Sequence, residues 1–126
     1  MNCKGGAYME LVRYKKMKEG EVVCEFETLW PDKVCKKVFE LENLKTSVCD
    51  LAVEENDVQE LYHVDSMEDI KKYEKPVTCR FDGTYMDSNV KILVDFNAQF
   101  LAVSAPRENI CYSIAESVDW NWGDPE

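Results

Sequence analysis

The order of apolar and polar positions along the chain predicts short strands more often than helices. Val22, Cys24 and Phe26 fall on one face and Glu25 and Glu27 on the other, the two-residue period of a strand with one buried side. Before them, residues 7–17 are rich in strand-favouring types, and Lys18-Glu19-Gly20-Glu21 reads as a turn in which Gly20 is free to take positive φ. The two segments predict a hairpin with basic residues on one strand facing acids on the other, which favours its register. Farther on, Val77, Cys79 and Phe81 alternate with Thr78 and Arg80. Asp82-Gly83 is then a hairpin signal, unless the strand runs on past a bulge. Asp87-Ser88-Asn89 reads as a turn. Val90, Ile92, Val94 and Phe96 give the cleanest alternation in the chain, and FLAVS at 100–104 reads as a nearly all-apolar, central strand. Residues 110–115 (ICYSIA) read as a last strand with Ile110, Tyr112 and Ile114 on one face.

Two regions ask for a helix. In 33–53, Val34, Val38, Leu41, Val48 and Leu51 recur at helical steps, and Asp32 is placed to cap a start. Phe39 with Leu41, and Cys49, Leu51 and Val53, alternate instead, and the Val, Phe, Thr and Cys content tips the reading to two strands joined around 43–47. The clearest helix signal is at about 66–74. Ser66 and Asp69 make a Ser-x-x-Asp capping box, Glu68 and Asp69 suit the first turn and Lys71 and Lys72 the last, and Pro76 ends it. The expected architecture is α+β: one globular domain over residues 1–126, a mostly antiparallel sheet of six to eight short strands, and one or two short helices.

Composition bounds the function. Of 126 residues 45% are hydrophobic, enough for a packed core, and no apolar run has the length of a membrane span. The net charge of −10 is unevenly spread. Residues 1–18 carry Lys4, Arg13, Lys15, Lys16 and Lys18 against Glu10 alone, whereas 46–70 and 108–126 hold no Lys or Arg at all. Direct binding to nucleic acid or to an anionic membrane is disfavoured, because both need clustered cations. A basic protein is the electrostatic complement.

Six cysteines, at 3, 24, 35, 49, 79 and 111, have wide and irregular spacing with no Cys-x-x-Cys pair. Cys24 and Cys79 sit inside strand-like runs, as small buried residues do. This favours reduced, buried thiols and a cytoplasmic protein. The alternative is a secreted disulfide-bonded β domain that binds an extracellular or host ligand.

The chemistry-bearing motifs are few. His63 is the single histidine and lies in the most acidic part of the chain, a poor setting for a Cys/His nucleophile because negative charge disfavours a thiolate. The carboxylates of 50–60 lack the spacing and the glycine of an EF-hand loop. No Gly-rich phosphate loop occurs. No catalytic residue, metal ligand or cofactor is assigned. What remains is Asp50, Glu54, Glu55, Asp57 and Glu60, centred on an expected EEND turn at 54–57, with Trp120 and Trp122 as second candidates for contact. These residues point to a non-enzymatic acidic binding or inhibitor protein that blocks a basic site, such as that of a nuclease or nucleic-acid-binding protein. Immunity proteins, antitoxins and phage anti-defence inhibitors work on this logic, with carboxylates in the place of phosphates.

Overall fold

Residues 9–118 are described in the computed structural model, and their strands form one seven-stranded sheet in which every neighbouring pair is antiparallel. In chain order the elements are β1 (Met9–Lys16), β2 (Val22–Thr28), α1 (Pro31–Phe39), β3 (Leu44–Glu55), β4 (Val58–His63), α2 (Met67–Ile70), β5 (Pro76–Tyr85), β6 (Ser88–Asp95), β7 (Phe100–Ala105) and α3 (Glu108–Val118). In space the strands run β1-β2-β7-β6-β5-β3-β4. The domain is α+β with a mostly antiparallel sheet, as the alternation predicts.

Alternation places the core. Cys24 and Phe26 on β2, Leu101 and Val103 on β7, Ile92 and Val94 on β6, Cys79 and Phe81 on β5, and Leu51 and Val53 on β3 all point to the side where α1 and α3 pack. FLAVS is central, paired with β2 on one side and β6 on the other. The opposite face is open. One row of side chains crosses it through all seven strands: Arg13, Glu25, Ala102, Leu93, Arg80, Asp50 and His63. The expected cross-strand charge pair is present in that row, with Arg13 Nη1 3.4 Å from Glu25 Oε1.

Four expectations need correction. The first half of 33–53 is a helix, not a strand. Pro31 fits the first helical position because its missing N–H has no partner to lose there, and Val34, Cys35 and Val38 bury one stripe. Asp32 does not cap this helix; it lies in the first turn, and Trp30 is the boundary residue. Residues 110–115 are also helix, not strand. Ile110, Cys111, Ile114, Ala115 and Val118 fall at three- and four-residue steps and are all buried against β2 and β7. The helix expected at 66–74 shrinks to the four residues of α2. Ser66 does cap it, its hydroxyl accepting the Asp69 N–H at 3.3 Å, but Asp69 turns back to the Asp65 N–H at 2.8 Å. Finally, of the two readings of Asp82-Gly83 the turn falls and the continuing strand holds, with a register shift facing it between Thr46 and Val48 of β3. β5 runs straight through the pair, and Gly83 is needed because a Cβ there would collide with the Lys45 carbonyl of β3.

The thiols of the described residues are interior. Cys24, Cys35, Cys49, Cys79 and Cys111 are free and buried. Cys49 Sγ lies 3.6 Å from Cys79 Sγ across β3 and β5, and the Cys111 thiol donates to the Val103 carbonyl at 3.5 Å. Among the described residues no helix is long and apolar enough to cross a membrane.

Candidate functional site

The acidic candidates gather on a hairpin at one margin of the sheet. Asn56 and Asp57 take positive φ, 54° and 67°, and turn β3 directly into β4. Consecutive positive φ angles make the two-residue turn whose twist matches the flanking strands, and Asn and Asp tolerate that region better than most residues. The expected four-residue EEND turn is therefore only its second half. Glu54 and Glu55 still belong to β3.

This local geometry decides where each carboxylate points. Along β3, Asp50 and Glu54 share the open face of the sheet, while Glu55 lies on the helix side with Val53. Glu60 pairs with Val53 and so also lies on the helix side. Asp57 stands at the tip. Glu54, Glu55, Asp57 and Glu60 are all exposed and wrap around the end of the hairpin. Among the described residues none of these four carboxylates takes part in an ion pair. Asp50 is set apart: it is half-buried, and its register neighbours are Arg80 and His63, roughly 17 Å along β3 from the tip. Trp120 and Trp122 lie outside the described residues.

Cations border the cluster on one side. Lys72 and Lys75 line, with Glu54, Glu55 and Tyr73, a groove of 480 Å³ beneath the tip. Lys75 also anchors the hairpin through its carbonyl, which accepts the Glu54 N–H at 3.1 Å. The local field nevertheless stays negative at Tyr62. Burial raises its phenol above the ordinary value, and the charges of Glu55 and Glu60 push it in the same direction.

β4 itself was not legible as a site. Val58, Glu60 and Tyr62 point one way and Gln59, Leu61 and His63 the other, so neither side is apolar throughout. Such a pattern belongs to an edge strand, and the strand order puts β4 at the margin. Val58 and Leu61 are 55% and 70% exposed. In a two-residue hairpin the residues flanking the turn form a hydrogen-bonded pair. Val58, Glu60 and Tyr62 therefore bond to β3, and the Val64 N–H donating to the Cys49 carbonyl at 3.0 Å continues the series. The backbone N–H and C=O groups of Gln59, Leu61 and His63 face outward.

His63 is an exposed side chain held by its neighbour, with Nε2 2.9 Å from Asp65 Oδ1. It lines a 500 Å³ groove with Cys49 and Asp65, but the Cys49 sulfur is turned to Cys79 and its thiol is pushed far up by that contact and by burial. A protonated, buried sulfur is a poor nucleophile. Among the described residues no group of three or more His, Cys, Asp or Glu side chains is placed to hold a metal ion.

In comparison with known proteins, no family model, no curated protein and no solved structure matches the chain.

Proposed function

We propose that this chain is a non-enzymatic acidic binding protein of inhibitor type, and that it engages a basic site on a protein partner through the tip of the β3–β4 hairpin. One observation carries the reading: Glu54, Glu55, Asp57 and Glu60 are exposed together on a two-residue hairpin, without ion-pair partners among the described residues, beside the exposed Leu61. A fold that needed these acids for its own stability would pair or bury them. Placing them around a protruding tip leaves their field directed at solvent, where it speeds encounter with a positive surface and discourages other partners. Apolar area beside the charges supplies contact energy that salt does not screen.

The partner class that fits is a protein whose own ligand is polyanionic, since its site already presents clustered Lys or Arg. Carboxylates of the tip then occupy the place of phosphates. The test is capture from the source organism at low salt, followed by direct titration of the purified partner. Affinity is expected to fall steeply as ionic strength rises, and to fall further when Glu54, Glu55, Asp57 and Glu60 are changed to Gln together. Equal binding by that variant, or affinity indifferent to salt, would overturn the proposal.

A further inference from the structure

Resting on the reading of the hairpin as a site for a basic partner, we infer that the outer edge of β4 takes up an extended segment of that partner as an eighth strand. The segment carries Lys or Arg at alternate positions and apolar residues between them.

The two margins of the sheet are built differently. β1 is defended in the ways that keep an edge strand from pairing: its register is broken by a bulge between Leu11 and Arg13, and Lys15 and Lys16 stand exposed along it. β4 has none of these devices. Its register against β3 is unbroken from Val58 to His63, and it holds no Lys, Arg or Pro. Gln59, Leu61 and His63 present a regular row of outward backbone donors and acceptors. Strand addition uses such a row for affinity and the alternating side chains for selectivity.

The side chains then name the occupant. On the open face Leu61 is 70% exposed and asks for an apolar neighbour. On the helix side Glu60, with Glu55 beyond it, asks for a cation. A strand alternating basic and apolar residues meets both demands at once, because its own side chains also alternate between faces. A second copy of this chain offers a basic strand too, in Arg13, Lys15 and Lys16 of β1, but the bulge interrupts the ladder that docking requires.

The experiment is hydrogen exchange read by NMR on the full chain, at low salt, with the capped peptide Lys-Val-Lys-Val-Lys-Val-Lys as probe. Exchange at the Gln59, Leu61 and His63 amides is expected to slow by about tenfold or more, as for groups drawn into a ladder. The peptide with Glu in place of Lys should leave them unchanged. Gln59→Pro removes one outward N–H at a position where an edge tolerates proline, and should abolish the protection, whereas Gln59→Ala should keep it. If the peptide shifts the carboxylate signals of Glu54, Glu55 and Glu60 without slowing those amides, strand addition is wrong and the acidic site stands. Should it change neither, the inference falls together with the reading beneath it. Protection that grows with the protein's own concentration, in the absence of peptide, would give the edge to a second copy and overturn the partner named here.

Discussion

Tyr62 of β4 stacks on Tyr73, with ring centroids 4.8 Å apart and planes inclined by 26°. This contact ties the edge strand to the segment that follows α2. Changing Tyr73 to Ala should cost about 1–3 kcal/mol, from lost apolar burial and ring stacking together. Tyr73→Phe keeps the ring and should be nearly neutral. Urea midpoints measure the stability, and amide exchange along β4 shows whether the loss is concentrated there.

Asp57 holds φ at 67°, a region that glycine enters without strain. Asp57→Gly is therefore expected to stabilise the fold slightly, by about half a kcal/mol, while removing one carboxylate from the hairpin tip. Stability and partner affinity should move in opposite directions in this variant. A parallel fall in both would show that the side chain at 57 is structural.

Acid should find a weak point at α2. The Asp69 carboxylate lies below its ordinary range, first because it accepts the Asp65 N–H and then through Lys72. A lowered native value means that its contribution is present above the unfolded value of about 4 and is lost as pH falls through the native one. Asp69→Asn should narrow the gap between melting temperatures at neutral and acid pH. Ser66→Ala removes the cap instead, and should cost about 1 kcal/mol at every pH.

The interior thiols set the alkaline limit. Cys49 is pushed up by its contact with Cys79 and by burial, Cys79 by its contact with Cys35, and Cys111 by burial to about 12. The native chain thus keeps protons that the unfolded chain releases at about pH 8.5. Stability from this source is full below that value and declines as pH rises through the native ones. Urea midpoints should drop from neutral pH to about pH 10. In native protein at neutral pH, peptide mapping after iodoacetamide should find Cys24, Cys35, Cys49, Cys79 and Cys111 unmodified until denaturant is added.

Gly83 sits inside β5 under the Lys45 carbonyl. Gly83→Ala must move backbone against backbone, and should cost about 3 kcal/mol by thermal unfolding.

How far the sequence reaches is clear from particular segments. Val90 to Phe96 was legible because β6 is buried on one side only, so its pattern is a direct record of its surroundings. The 110–115 run misled because Ile110, Tyr112 and Ile114 do alternate. Only when Val118 is added does the four-residue stripe of α3 outweigh them. At 82–83 an Asp-Gly pair imitates a turn, yet its glycine answers to a neighbouring strand that no local pattern records. The real turn, Met86-Asp87, carries positive φ at 51° and 68°; the expected turn at Asp87-Ser88-Asn89 overlaps it only at Asp87, because a methionine in first place carries no turn signal and Ser88 already begins β6. For the site, the acids of the hairpin were readable as charge. The open margin of β4 was not: the mixed sides of 58–63 agree with an edge, but only the strand order makes it one.

The pairing of β2 with β7 has a consequence for how the chain is made. Val22 to Glu27 find their inner neighbour in Phe100 to Ala105, after six other elements of the chain have been synthesised. A nascent chain emerging from the ribosome can close the β1–β2 and β3–β4 hairpins early, but the first hairpin has nowhere to dock until the last strand appears. This is the strand pairing most distant in sequence, which slows folding and leaves the apolar side of β2 exposed during synthesis. The appearance of β7, rather than any local event, is thus the moment at which this sheet becomes whole.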